Sequence, residues 1–388
     1  MRHFIKVIAV LAAFAFIAGC AGPTDNKLFS ADHPLSIADQ GYFFVGGGYS
    51  KTKDGQVMSG QMFVQYQIPA KLRSPYPVIM IHGGGQTGSN FLGTPDGRRG
   101  WSDYFLSQGY AVYVVDQAGR ARSGFFTEIY GNTRRPNTDA MSARFTAPAA
   151  APKPLWPQAG KHTQWPGKGV AGDTVYDQFF SSQVEDIADL GMIEQLNRDA
   201  GIALLDKIGP AIVLTHSQSG TFGWALADAR PQRVKAVVAI EPSGPPFYDA
   251  VTIGAPNWFK DGSVARPWGV TRGPVTYAPP AKEAAEIKIV QQDKPDHPDL
   301  VRCRLQAEPA RKLTNLVGIP MLIVVSESSY HSPYDHCTSK FLTQAGVRND
   351  FVRLPDVGIH GNGHMMMLEK NNLEVAALLR GWIEKNLK

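Results

Sequence analysis

Five short runs of apolar, largely β-branched residues recur along this chain: PVIMIHG from Pro77, YAVYVVDQ from Tyr110, AIVLTHS from Ala211, VKAVVAIEP from Val234 and PMLIVVSES from Pro320. Each is apolar almost without interruption, where a strand with one wet face would alternate. Such runs are strands buried on both faces, the habit of a parallel sheet covered by helices. Helical stretches fall between them, in WSDYFLSQ, SSQVEDIADLGMIEQLNRD and FGWALADARPQR. The alternation predicts a doubly wound α/β fold. YFFVGGGYS and MFVQYQIPA read as earlier antiparallel edge strands. FVRLPDVG reads as a late strand and LEVAALLRGWIEKNLK as a closing amphipathic helix.

Two stretches break this rhythm, residues 124–176 and 244–315. Both are rich in proline, and inserts of that length inside one domain usually serve a binding site. They are expected to form caps over the strand ends. Their aromatic residues Trp156, Trp165, Trp258, Phe259 and Trp268 suggest an apolar or aromatic pocket. The domain itself is expected over residues 41–388, after a tether at 21–40.

Residues 1–20 read as an export signal. Arg2 and Lys6 precede the apolar run VIAVLAAFAFIAG, which is short for a transmembrane span and ends at Ile17-Ala18-Gly19-Cys20. That ending resembles the bacterial lipobox, so lipid attachment at Cys20, a membrane anchor and a place in the periplasm or cell envelope are expected. Outside the signal the chain has only Cys303 and Cys337. An exported protein oxidises such a pair, and a disulfide between them is expected. The formal net charge is +5 with no long basic run, which gives no footing for nucleic-acid binding.

The third run ends in His216-Ser217-Gln218-Ser219-Gly220 and leads into a helix. A serine at such a strand-to-helix corner is a nucleophile elbow, its oxygen raised at the helix N-terminus. Thr215 and Ser219 stand where glycines are usual, because the corner demands small residues. The first run ends in His82-Gly83-Gly84-Gly85, a loop whose backbone N–H groups can face a substrate. Gly84, Gly85 and Gln218 are the expected donors to an oxyanion. A base is expected after the last strand. His364, after Gly363 and before an apolar run, is the first choice and His360 the alternate. The acid is open between Glu241, at the end of VKAVVAI, and Glu327 or Asp335 after the next strand. The segment HSPYDH (His331, Asp335, His336) matches no metal-ligand spacing and reads as loop polar residues.

The stretch HGGGQTGSNFLGTPDGRRGWSDYFLSQGYAVYVVDQAGRARS, the elbow, and the C-terminal GNGHMMMLEKN resemble secreted bacterial esterases of the α/β-hydrolase fold. That group includes an esterase with two adjacent, disulfide-bonded cysteines in its oxyanion loop, where this chain has Gly84 and Gly85. The resemblance covers most of the core and is weak in the caps. It implies a Ser–His–Glu triad of Ser217, His364 and Glu241. The expected activity is serine carboxylic-ester hydrolysis of a small or aromatic ester through an acyl-enzyme, with no cofactor or metal. Lactone or amide hydrolysis on the same triad is the alternative. So is a non-catalytic surface lipoprotein on the same scaffold.

Overall fold

The computed structural model describes residues 34–387. The expected signal at 1–20, Cys20 and most of the tether lie outside the described residues. Among those described, no helix is long and apolar enough to cross a membrane.

The apolar runs form one eight-stranded sheet. Its strands are β1 (Ile37–Thr52), β2 (Gly55–Pro69), β3 (Val78–Ile81), β4 (Val112–Asp116), β5 (Ala211–His216), β6 (Val234–Ile240), β7 (Met321–Val325) and β8 (Asp350–Arg353). Their spatial order is β1-β2-β4-β3-β5-β6-β7-β8. The two N-terminal strands form an antiparallel hairpin on the edge, and β2 pairs antiparallel with β4. All pairs from β4 to β8 are parallel. The first strand begins at Ile37, inside the segment read as tether.

Both faces of the sheet are covered. Ile79, Ile81, Val213 and Val237 pack with Leu204 and Leu205 of α3 (Leu190–Ile208) and Trp224 of α4 (Gly220–Ala229). Val78, Met80, Leu214 and Val238 face the other way, against Phe105 of α1 (Trp101–Ser107) and Leu379 of α6 (Asn372–Asn386). The period of two along each strand sorts its side chains into these two layers. Burying one such side chain fully stabilises by roughly 1.5–3 kcal/mol, so continuous apolar runs are what a sheet dry on both faces selects.

Helix α3 starts later than the apolar pattern suggested. The Asp189 side chain accepts from the N–H groups of Gly191 and Met192 and caps the helix there. Residues 182–189 run as a loop, with Asp186 and Ile187 bridging to Thr133 and Arg134. The remaining long helices are α2 (Thr174–Ser181) and α5 (Asp335–Gln344). The second insert contains two antiparallel pairings that the pattern did not reveal: Phe247–Gly254 with Trp258–Arg266, and Ile289–Gln291 with Arg304–Gln306. Cys303 and Cys337 are disulfide-bonded, which ties this insert to α5.

The chain passes from β3 to β4 on one side and then returns to β5 on the other. Open α/β sheets hold their ligands at the strand ends where the order reverses in this way. The glycine loop after β3 and Ser217 after β5 lie at that point.

Candidate active site

Strand β5 leaves the sheet at His216, and the next residue, Ser217, has φ of +55°. A side chain rarely occupies this left-handed region unless its surroundings force it there. The two residues that replace glycines at the corner are accommodated by specific contacts. The Ser219 hydroxyl donates to the Ile81 carbonyl at 2.7 Å and accepts from the His216 N–H at 2.9 Å, so it joins β3 to the corner. The Thr215 methyl fits because α4 has Gly223 opposite; a Cβ there would lie 3.1 Å from Thr215 Cγ2. Gly83 is bare for a related reason, since its Cβ would lie 3.0 Å from that of Ser217.

His364 is wholly buried, and its Nδ1 lies 2.6 Å from Glu241 Oε2. Glu241 extends from the end of β6, also at positive φ, +43°. Three further donors hold the carboxylate: Ser326 N–H at 2.8 Å and Ser326 Oγ at 2.5 Å on Oε1, and Ser329 Oγ at 2.6 Å on Oε2. Burial raises the Glu241 carboxyl above its ordinary value, and these donors oppose that rise. Burial holds His364 well below the ordinary imidazole value, with further lowering from His331 and from the Arg144 charge. The imidazole is therefore neutral, with its proton on Nδ1 facing Glu241 and its lone pair on Nε2.

That Nε2 lies 3.4 Å from the Tyr330 hydroxyl, and Tyr330 lines the same cavity as Ser217. The imidazole is sandwiched between Phe145, with ring centres 5.0 Å apart, and His331 at 4.8 Å and 13° from parallel. His216 Nε2 donates to the His364 carbonyl at 3.0 Å and anchors the loop.

The other candidates go elsewhere. His360 is exposed and pairs with Glu327 at 3.2 Å. Glu327 also accepts the Gly361 N–H at 2.9 Å. Asp335 pairs with His331 at 2.9 Å, and both are buried, which corrects the reading of HSPYDH as ordinary polar loop. Of the three carboxylates, Glu241 alone lies against His364. Sequence reasoning missed Ser326, Ser329, Tyr330 and Phe145. The only signal for the first three was the density of hydroxyls in SESSYHS, directly after a buried strand.

A cavity of about 700 Å³ opens in front of Ser217, lined by Gly84, Gly85 and Gln218 among others. The Gly83 carbonyl accepts from Arg120 Nη1 at 2.8 Å, and the Gly85 carbonyl from the Val184 N–H at 2.8 Å. Arg120 is buried beneath the loop and pairs with Asp186, which also binds Arg134 at 2.7 Å. The Gln218 side chain joins this cluster, accepting from Arg120 at 3.1 Å. None of the five cap aromatics singled out from the sequence lines this cavity. Trp156 instead packs against Tyr330 and donates to the Ser328 carbonyl at 2.8 Å. The aromatic wall is made by Phe145, Tyr330 and Tyr334.

Residues 78–378 match the Alpha/beta hydrolase family. The chain belongs to that family, and its sheet order and helix layers are those of the fold. A curated protein, "Probable secreted lipase phiG" of Fungal sp. (strain ATCC 74256), is 44% identical over 347 residues, 89% of each chain. A solved structure, "The Atomic Resolution Structure of a Novel Bacterial Esterase", superposes with a TM-score of 0.62 at 25% identity, over 93% of this chain and 99% of that one.

Proposed function

We propose that this chain is an exported serine hydrolase that cleaves carboxylic esters through an acyl-enzyme on Ser217. The observation that carries the reading is the convergence of three parts at one cavity. These are a serine at positive φ, a buried neutral histidine held 2.6 Å from a glutamate, and a glycine loop beside the serine.

Ser217 attacks the ester carbonyl, and its proton passes to Nε2 of His364. Tyr330, whose hydroxyl lies 3.4 Å from Nε2, flanks this transfer. The imidazolium then protonates the leaving alcohol. Water, deprotonated by the same histidine, releases the acid and restores Ser217. Glu241 holds the tautomer and stabilises the transient imidazolium. The oxyanion is taken by the N–H groups of Gln218 and of the loop. Gly84 is the better placed of the two loop glycines. A trans peptide points its N–H opposite to its carbonyl, and the Gly83 carbonyl is turned down onto Arg120.

The names of both relatives support ester hydrolysis, and that of the fungal relative supports export. The anchor at Cys20, a bacterial envelope and kinship with the adjacent-cysteine esterases rest on the sequence motifs. The test is labelling with a fluorophosphonate, followed by turnover of short p-nitrophenyl esters. Ser217→Ala should take no label and lose essentially all turnover while melting like the parent. Substantial residual turnover would exclude Ser217 as nucleophile.

A further inference from the structure

The wall of the Ser217 cavity carries four arginines, Arg134, Arg135, Arg144 and Arg272, and two aspartates, Asp186 and Asp249. Most of these charges are already matched. Asp186 is shared by Arg120 and Arg134, Asp249 binds Arg266 at 2.8 Å, and Arg135 pairs with Glu185. Among the described residues, no carboxylate lies within ion-pair distance of the Arg144 or Arg272 side chains. The Arg272 guanidinium donates to the Ala265 carbonyl at 2.6 Å, and the Glu194 and Asp249 carboxylates offset its charge from farther off. Arg144 stands with its guanidinium 4.3 Å over the ring of Tyr330, whose hydroxyl lies 3.4 Å from His364 Nε2. Arg144 is thus an unmatched cation on the wall of the space where an ester must lie, one phenol ring away from His364.

We propose that the cavity takes esters bearing a carboxylate, and that Arg144 is the residue that holds it. This deepens the esterase reading and rests on it. A guanidinium is the planar partner that a carboxylate binds through two parallel hydrogen bonds, and its apolar seat on Tyr330 leaves its N–H edge for a ligand. The short path from Arg144 to Ser217 favours a carboxylate only a few carbons from the scissile carbonyl, as in half-esters of short dicarboxylic acids. The same positive wall draws anionic esters in from solution, an effect that salt weakens.

The test compares monomethyl glutarate with methyl valerate, which has a methyl in place of the carboxylate. The wild-type enzyme should favour the half-ester by about tenfold or more in kcat/KM, the scale of one charge-assisted contact. That ratio should shrink as ionic strength rises. Arg144→Gln should reduce it about tenfold, and Arg144→Lys, which keeps the charge but loses the bidentate fork, should fall between the two. Calorimetry with glutarate alone reads the site even without turnover: binding that disappears in Arg144→Gln supports it. A wild-type preference for the neutral ester, a ratio unchanged in Arg144→Gln, or no glutarate binding would overturn the proposal. Failure of Ser217 to react with a fluorophosphonate would overturn the esterase reading instead.

Discussion

At the scale of single residues, the site depends on which carboxylate orients His364. Glu241 does so from the end of β6, while Glu327 faces His360 and Asp335 faces His331. If the hydrogen bond at 2.6 Å fixes the tautomer, Glu241→Gln should preserve the fold and lower kcat, by up to about ten-thousandfold on the scale of serine proteases. Glu327→Gln should cost little, because its partners are a solvent-facing imidazole, a lysine and one N–H. Asp335→Asn should also cost far less than Glu241→Gln. Kinetics of all three variants with one ester decide the matter. A normal Glu241→Gln alongside a crippled Glu327→Gln would move the acid to the later strand.

If His364 is the base, it also sets the acid limb of activity. The base must be neutral, and burial, His331 and Arg144 hold it below the ordinary value of 6.5. The fall of kcat/KM on the acid side should therefore lie below pH 6.5, and Arg144→Gln, which removes one lowering charge, should shift it upward. A limb at or above 6.5 in the parent enzyme would contradict the burial seen here.

The elements differ in how far their sequence announced them. Strand ends were readable because continuous apolar runs stop where the sheet stops, and Ser217 and Glu241 are the first residues beyond two such stops. The glycine loop was readable for the same reason. Ser326, Ser329, Tyr330 and Phe145 were not, since they come from loops whose shape follows tertiary contacts and leaves no period in the sequence. The paired strands Phe247–Gly254 and Trp258–Arg266 escaped notice because prolines flank them and much of their surface is wet. Helix α3 was read as starting too early because its N-cap, Asp189, sits amid other acidic residues.

One element-scale contact can be tested directly. The Cys303–Cys337 bond fixes the second insert to α5, within the cluster that contains Trp156, Tyr330 and Tyr334. With a sequence separation of 34 residues, loop closure predicts a loss of about 3–4 kcal/mol on removing it. A Cys303→Ser/Cys337→Ser double variant should melt at lower temperature. Its kcat should fall too, because Tyr330 loses part of its support. An unchanged melting temperature would show that the bond adds no constraint.

Over the whole molecule, the buried histidines govern the response to acid. His82 and His336 are pushed down to about 4, His331 to about 3, and His216 and His364 well below 6.5, in each case chiefly by burial. Unfolded, each takes up a proton as the pH falls through 6.5; folded, each stays neutral until far lower. The unfolded state thus binds more protons between pH 6.5 and about 4, and stability falls with pH across that window. Each histidine contributes about 1.4 kcal/mol per pH unit there. Asp335, whose carboxyl burial raises well above its usual range, keeps a proton in the folded state and offsets one of them, and Glu241, raised by burial as well, offsets part of another. Melting temperatures should be nearly level from pH 7.5 to 6.5 and drop steeply below. A flat profile down to pH 4.5 would mean that these imidazoles are hydrated.

The disulfide has one more consequence, for the response to proteases. The covalent ring from Cys303 to Cys337 contains β7 and the two serines that donate to the Glu241 carboxylate, Ser326 and Ser329, together with Tyr330 and His331. A single backbone cut inside that ring, for example at the Arg311-Lys312 pair, releases nothing. The two fragments stay joined through sulfur, with the sheet intact between them. A nicked molecule should migrate as one band until a reducing agent is added, and should still hydrolyse ester.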